Sequence, residues 1–152
     1  MSDNPPPIVV DATVLTKWYV PELYSEECRR LLDLHAEFFV PEAAISQVSG
    51  ALWKRARTGE LRPDLANRIV RSLCRLPVTY VPTSSLGPAA MELAIASGRT
   101  FNESLYFALA LRKGTRLVTA DHRWFTLLST GKLKSHIELV VDTLKKHEPD
   151  PA

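Results

Sequence analysis

Three acidic residues interrupt stretches of the chain that are otherwise apolar. Asp11 and Asp121 each end a strand-like run, and Glu103 lies inside a helical pattern. In an open parallel α/β sheet, binding sites form at the carboxyl ends of the strands. Carboxylates brought together there would repel one another and resist losing their water. A divalent cation that compensates their charge is therefore predicted.

Each of these acids also has an ordinary structural explanation. Asp11 and Asp121 could cap the helices that follow them, and Glu103 could be a first-turn glutamate favoured by the helix dipole. If they converge, oxygen ligands without a suitably spaced Cys/His cluster favour Mg²⁺ or Mn²⁺ over zinc. Carboxylate-held magnesium commonly serves phosphate chemistry. The chain has no glycine-rich phosphate loop, which argues against a kinase or an ATPase.

Strand-like and helical patterns alternate along the chain. Short apolar strands are predicted at residues 8–11, 37–41, 78–82, 116–120 and 137–141, and helices at 25–36, 44–57, 62–76, 86–97, 102–113 and 122–129. The alternation predicts an α/β fold with a mostly parallel sheet of about five strands. The strands are apolar throughout, which is typical of a sheet covered by helices on both faces.

The 152 residues are of a length that one domain can fill. We assign residues 8–142 to that domain, residues 1–7 to a disordered segment and residues 143–152 to a charged tail. The net charge of +2 is too small to indicate nucleic-acid binding by itself. We expect no membrane segment and no signal peptide, and hence a cytoplasmic protein. Cys28 and Cys74 lack metal-ligand spacing and are expected to be reduced thiols.

Five segments resemble the PIN-domain ribonucleases, especially the VapC-type toxins of bacterial toxin–antitoxin pairs. The segments are residues 8–18, 51–55, 97–100, 105–110 and 117–121. The resemblance extends from about Ile8 to Val141, nearly the whole chain. It implies a PIN-like three-layer fold and a site of four acidic residues that holds Mg²⁺ or Mn²⁺ and cuts RNA.

Transferred to this chain, the resemblance makes Asp11, Glu103 and Asp121 the catalytic, metal-holding residues. Glu103 stands where the family has an aspartate, and its side chain is one methylene longer. The fourth acidic position is occupied by Gln47, which is neutral, so the site is partly degenerate. We expect the three carboxylates to meet in one cavity at the carboxyl end of the sheet, with Gln47 facing it.

Other polar residues of the matching segments have supporting roles in this comparison. Thr13 and Thr119 correspond to hydroxyl positions beside the family's first and last aspartates. Four residues flank the acidic positions and are predicted as possible RNA contacts: Lys17, Arg99, His122 and Arg123.

The resemblance implies a metal-dependent endoribonuclease that is dimeric and neutralised by a small antitoxin covering the acidic groove. The alternative is a degenerate PIN domain that binds RNA or protein without catalysis, and the substitutions Gln47, Gly50 and Glu103 are the features that distinguish the two. An unrelated α/β metal phosphatase is disfavoured, because its strand-end signatures are absent. The surface predicted for dimerisation consists of Leu61, Leu65, Ile69 and Leu73.

Overall fold

The centre of the molecule is a sheet of short strands. In the computed structural model, which describes residues 4–148, the strands are β1 (Ile8–Val10), β2 (Phe38–Pro41), β3 (Thr79–Val81), β4 (Leu117–Thr119) and β5 (Ile137–Leu139). Their order across the sheet is β3-β2-β1-β4-β5, and every neighbouring pair is parallel. The predicted five-stranded parallel α/β fold is confirmed.

Helices fill the connections between these strands. They are α1 (Ala12–Tyr19), α2 (Ser25–Arg30), α3 (Ala43–Arg57), α4 (Pro63–Leu73), α5 (Thr83–Ser97), α6 (Phe101–Arg112), α7 (His122–Leu128) and α8 (Val140–His147). Helix α5 ends at Gly98, whose φ of 74° is a left-handed conformation that glycine adopts without steric cost. Among the helices of residues 4–148, none combines the length and the apolar character needed to cross a membrane.

The strand order determines how the helices are layered. The chain runs outward from β1 to β2 and β3 through α1–α4, then returns past β1 to β4 through α5 and α6. Because crossovers between parallel strands are right-handed, this reversal places α1–α4 on one face and α5 and α6 on the other. Helix α6 contacts β1, β2 and β4. The arrangement is the expected three-layer fold.

The core lies on both faces of the sheet. Val9 and Val10 of β1 and Leu117 of β4 are fully buried. Strands buried on both faces have no solvent-facing side, which explains why their sequences do not alternate between apolar and polar residues. Leu15 from one helical layer and Phe107 from the other are likewise fully buried.

Helix α1 was not predicted from the sequence pattern. Its first five residues include the β-branched residues Thr13, Val14 and Thr16, which have low helix propensity. Its N-terminus is held by Asp11, whose side chain accepts hydrogen bonds from the backbone N–H groups of Thr13 and Val14. The cap and the burial of Val14 and Leu15 therefore compensate for the weak local propensity.

The segment after the fifth strand also differs from the prediction. Strand β5 ends at Leu139 rather than Val141, and α8 follows it directly. Val140 and Leu144 recur at helical spacing and are both buried, so the start of the predicted charged tail is a packed helix through His147. The tail residues 149–152, and residues 1–3 of the predicted disordered segment, lie outside the described residues.

Two of the residues predicted to form a dimer surface are buried within this chain. Ile69 is 4% exposed and Leu73 is 0% exposed, because the apolar face of α4 packs inward. Leu65 remains 36% exposed, and Leu61 is half-buried. The predicted surface is therefore wrong for Ile69 and Leu73, while dimerisation itself stays a prediction.

Candidate active site at the carboxyl ends of β1 and β4

Strands β1 and β4 are neighbours at the point where the order of the sheet reverses. The connections on either side of such a point leave in opposite directions, which opens a crevice beyond the carboxyl ends of the strands. Asp11 follows β1 directly, and Asp121 follows β4 after Ala120. A cavity of about 290 Å³ lies at this place.

The cavity brings together residues from four helices or their caps. Its lining consists of Asp11, Ala12, Thr13, Gln47, Asn102, Glu103, Tyr106, Asp121 and Trp124. The three acids predicted from the sequence therefore share one cavity, and Gln47 faces it as expected. Asn102, Tyr106 and Trp124 are lining residues that the sequence pattern did not single out.

The Asp11 carboxylate is held by hydrogen bonds on both of its oxygens. Oδ1 accepts from the backbone N–H groups of Thr13 and Val14, at 3.0 and 3.1 Å, and from the Thr13 hydroxyl at 2.5 Å. Oδ2 accepts from the Thr119 hydroxyl. Burial raises the pKa of Asp11 above its ordinary value, although these hydrogen bonds act in the opposite direction. The side chain is thus fixed in place before any ligand binds.

Thr13 and Thr119 connect the ends of the two strands. The Thr13 hydroxyl accepts a hydrogen bond from the backbone N–H of Ala120 at 3.2 Å, and the Thr119 hydroxyl accepts one from the N–H of Asp121 at 3.0 Å. Each hydroxyl also donates to Asp11. Thr119 lies behind the cavity wall and is fully buried. The two threonines therefore set the position of one acid relative to the backbone of the other.

Asp121 is the N-cap of α7. Its Oδ1 accepts a hydrogen bond from the backbone N–H of Trp124 at 3.0 Å. This is the ordinary structural role considered for the residue, and the residue fulfils it while also lining the cavity. A carboxylate has acceptor sites on both oxygens, so a cap on one leaves the other available for a ligand.

Glu103 lies in the first turn of α6. The Thr100 hydroxyl caps this helix by accepting a hydrogen bond from the backbone N–H of Glu103 at 3.1 Å. The Oε2 atom of Glu103 is buried and has no hydrogen-bond partner within the described residues. Leaving a carboxylate oxygen unpaired in this way is costly. A cation or a hydrogen-bond donor is the kind of ligand that would satisfy it.

Gln47 reaches the cavity from α3 and is bonded to a residue of α6. Its Oε1 atom accepts a hydrogen bond from the Tyr106 hydroxyl, across 59 positions of the chain. Burial raises the pKa of Tyr106, and the nearby Asp11 raises it further, so the phenol keeps its proton and donates. Tyr106 stands three residues after Glu103, and this helical spacing is the signal that could have identified it.

Two of the predicted RNA-contacting cations lie outside the cavity lining. The Lys17 ammonium forms an ion pair with Glu22 at 2.8 Å, and Glu22 also pairs with Arg55. Lys17 thus has a structural partner, which the sequence pattern did not reveal. Arg99 lines a separate depression, which it shares with the end of α7 and with Gly131 in the loop that follows. RNA contact by these two residues stays a prediction.

The other two predicted contacts lie on α7, immediately after Asp121. The His122 ring stacks on Tyr24, with ring centroids 4.2 Å apart and an interplanar angle of 16°. Its Nε2 atom is buried and has no hydrogen-bond partner in the part of the chain that the structure describes. Arg123 is exposed beside it. Both residues line a shallow depression next to the cavity rather than the cavity itself.

The donor set of the cavity matches a hard divalent cation in its chemistry. The lining offers carboxylate oxygens and no thiol or imidazole, and the unpaired Oε2 of Glu103 is an oxygen that a cation would satisfy. Across residues 4–148, however, no three His, Cys, Asp or Glu side chains are grouped closely enough to hold one ion. The residues fit Mg²⁺ or Mn²⁺ by type, and joint ligation requires their side chains to move closer together.

Comparison with known proteins agrees with this geometry. Residues 8–128 match the PIN domain. The chain belongs to the PIN-domain family. It is 32% identical over 118 residues to Ribonuclease VapC3 of Pyrobaculum aerophilum, a match that covers 76% of this chain and 90% of the relative. The expected resemblance to VapC-type PIN domains is confirmed.

A solved structure has a similar fold. The crystal structure of PAE2754 from Pyrobaculum aerophilum superposes on this chain with a TM-score of 0.66. The match covers 96% of each chain at 21% sequence identity. A likeness at this identity supports the fold, and the site must be argued from its own residues.

Proposed function

We propose that this PIN domain is a metal-dependent endoribonuclease that acts in the cytoplasm as the toxin of a toxin–antitoxin pair. The observation that carries the proposal is the cavity at the carboxyl ends of β1 and β4, which Asp11, Glu103 and Asp121 line together. The similarity to Ribonuclease VapC3 supports RNA as the substrate. The family membership supports hydrolysis of phosphodiester bonds at this cavity.

In this proposal Mg²⁺ or Mn²⁺ is held by the carboxylates of Asp11, Glu103 and Asp121. When bound, such an ion polarises a phosphoryl oxygen and makes a water molecule more nucleophilic. Asp11 is the pre-positioned ligand, because Thr13 and Thr119 fix its carboxylate. Glu103 supplies an oxygen that is buried and has no partner within residues 4–148.

The charges and hydrogen-bond donors of the cavity also affect how strongly an anionic substrate binds. Three carboxylates weaken the binding of an RNA phosphate as long as their charge is not neutralised, and hydrogen-bond donors in the cavity act against this repulsion. Tyr106 is neutral, so it is a hydrogen-bond donor in this cavity rather than a general base. Hydrolysis adds one water to the phosphorus and breaks one P–O ester bond, and the carboxylates orient that water.

A second candidate function is RNA or protein binding without catalysis. Gln47 carries no charge, and its amide oxygen is already bonded to Tyr106. In the described residues the acids do not form a three-ligand cluster. Both observations favour weak metal binding, which a binding module would tolerate and an efficient nuclease would not.

The partner we propose is a small antitoxin with a segment that covers the acidic cavity, together with a second copy of this chain. A cationic segment would complement the three carboxylates. A small open reading frame beside the gene, encoding a DNA-binding protein, would support the antitoxin. Light scattering that shows only a 17.0 kDa species across micromolar concentrations would contradict the homodimer.

The deciding experiment is cleavage of single-stranded RNA by the parent and by Asp11→Asn, each with Mn²⁺ and with EDTA. Asparagine is as good an N-cap as aspartate, so this variant keeps the α1 cap while losing the charged ligand. We expect cleavage only by the parent with Mn²⁺. If neither protein cleaves RNA while the parent binds it, the binding module replaces the nuclease.

A further inference from the structure

The side-chain amide of Gln47 has two ends with opposite hydrogen-bonding character. Its oxygen accepts from the Tyr106 hydroxyl, and this is the hydrogen bond that the structure gives the side chain within residues 4–148. Its nitrogen is not among the buried polar atoms that lack a partner. The NH₂ group is therefore accessible to solvent, and the residue that carries it lines the cavity.

We propose that Gln47 donates a hydrogen bond to a phosphate oxygen of the RNA backbone, and that Tyr106 is the positioning residue that turns the amide for this contact. The inference rests on the proposed ribonuclease function and assigns Gln47 a role in substrate binding. At the place where the family carries an acidic ligand, this chain presents an N–H donor.

The amide nitrogen is suited to an anion and unsuited to a cation. Its lone pair is delocalised into the carbonyl group, so the NH₂ group only donates. Its hydrogens carry positive partial charge, which repels a metal ion and attracts a phosphate oxygen. Replacing a carboxylate with this group also removes one of the negative charges that would repel RNA.

The orientation of the amide depends on Tyr106. The Tyr106 side chain is 4% exposed, and a hydroxyl at such a depth needs an acceptor. That acceptor is the Gln47 oxygen. Without the hydroxyl, the amide would be free to turn its oxygen toward the cavity, where it would act as a weak cation ligand and present no donor to the substrate.

The test is metal-free binding, which does not depend on catalysis. A short fluorescent single-stranded RNA is titrated with the full chain in EDTA, and the dissociation constant is read from anisotropy. Gln47→Met preserves side-chain length and removes the amide, so it should weaken binding about tenfold, as expected for a hydrogen bond to a charged acceptor. Tyr106→Phe should weaken binding about threefold, since a mobile amide still donates part of the time.

The double variant separates positioning from direct contact. If Tyr106 acts only through Gln47, Gln47→Met combined with Tyr106→Phe should bind no more weakly than Gln47→Met alone. Tyr80→Phe is the matched control, because the Tyr80 hydroxyl also donates within the fold, to the Leu73 carbonyl, and Tyr80 does not line the cavity. Its RNA affinity should equal that of the parent.

Gln47→Glu gives a second, independent measurement. A carboxylate at position 47 should bind Mn²⁺ more tightly in calorimetry and bind RNA more weakly than the parent in EDTA. The proposal is overturned by unchanged RNA affinity in Gln47→Met, or by a parent that binds no RNA without metal. An additive loss in the double variant overturns the role assigned to Tyr106. RNA cleavage with Mn²⁺ decides the proposed nuclease separately.

Discussion

The cavity has two walls that are built differently. We call the first the strand wall, which Asp11, Thr13 and Asp121 form at the ends of β1 and β4, with Thr119 buried behind them. The second is the helix wall, which Gln47, Glu103 and Tyr106 form on α3 and α6. On the strand wall, both oxygens of Asp11 accept hydrogen bonds from the protein. On the helix wall, Glu103 keeps a buried oxygen without a partner in the described residues.

The strand wall is therefore satisfied by hydrogen bonds of the folded chain, whereas the helix wall has an oxygen that only a ligand would satisfy. The strand wall is tied to the sheet through the backbone N–H groups of Ala120 and Asp121. The helix wall consists of side chains from two helices that meet through a hydrogen bond between Tyr106 and Gln47. Changes in the strand wall should therefore act mainly on stability, and changes in the helix wall mainly on ligand binding.

The largest effect is expected from Asp11→Ala, which breaks the strand wall. It removes the cap of α1 and leaves the hydroxyls of Thr13 and Thr119 without their acceptor. Relative to Asp11→Asn, the free energy of unfolding should fall by about 3 kcal/mol. Both variants lose the buried charge, and asparagine keeps one oxygen, so urea unfolding of the pair isolates the hydrogen bonds to Oδ1. Equal free energies of unfolding for the two variants would show that these hydrogen bonds do not stabilise the strand wall.

Thr119→Val tests the same wall from its other strand. Valine has nearly the shape of threonine but cannot donate to the Oδ2 atom of Asp11. We expect a loss of about 2 kcal/mol in the free energy of unfolding, because a buried acceptor is left unsatisfied. The control is Thr143→Val, since Thr143 is also buried and its hydroxyl donates to the backbone carbonyl of Leu139, which is not a charged acceptor. That control should lose less than about 1 kcal/mol.

Gln47→Glu sharpens the comparison by restoring an acid to the helix wall. Tighter Mn²⁺ binding should raise the rate of RNA cleavage about tenfold, which corresponds to about 1.4 kcal/mol. Glu103→Asp, which shortens the other side chain, should act in the same direction, and the pair should be non-additive because both would ligate the same ion. Without metal, Gln47→Glu should melt below the parent, because the fourth carboxylate adds repulsion. If the parent already cleaves RNA as fast as these variants, Gln47 and Glu103 are sufficient as ligands for catalysis.

The smallest effect should come from Glu22, which links two helices of the same layer through Lys17 of α1 and Arg55 of α3. Burial raises the pKa of Glu22, but the hydrogen bonds and charges of these two cations outweigh it and hold the pKa below the ordinary 4.5. A lowered pKa means that the stabilisation is present above the unfolded-state pKa and is lost as the pH falls through the folded-state pKa.

Glu22→Gln should therefore unfold more easily than the parent at pH 7, by less than about 1 kcal/mol for a partly exposed pair. The difference should shrink as the pH falls below the ordinary pKa of 4.5, and it should vanish once the pH has fallen through the lower pKa of the folded state, where the folded parent also loses the charge. Denaturant titrations of both proteins between pH 7 and pH 3 measure it. A difference that persists at pH 3 would assign the effect to packing rather than to charge.

Local patterns predicted much of this molecule because the forces behind them are local. Runs rich in apolar residues located all five strands, and the central strand β1 has no polar side because it is covered on both faces. Glycines located helix ends, as at Gly98. The same reasoning missed α1, whose stability comes from the Asp11 cap and from tertiary burial rather than from its residue propensities.

The walls of the cavity were predicted unequally. Asp11 and Asp121 could be located from the sequence, because a carboxylate at the end of an apolar run is unusual there. The partner of Gln47 could not be located from the sequence, because Tyr106 lies 59 positions away and has the pattern of an ordinary core aromatic residue. Lys17 was assigned to RNA contact because no local pattern shows that Glu22 lies within 2.8 Å of it.

The sequence by itself determined the α/β class, the parallel strands and the positions of the acids, because strand burial and chain direction bring the ends of β1 and β4 to the same edge. The tertiary structure decided which carboxylate oxygens receive hydrogen bonds from distant residues and which oxygens have no partner. Hydrogen bonds between residues far apart in the chain depend on how the helices pack on the sheet. The pairing of β1 with β4 brings the Thr119 hydroxyl to Asp11, whereas the helix packing leaves an oxygen of Glu103 without a partner among residues 4–148.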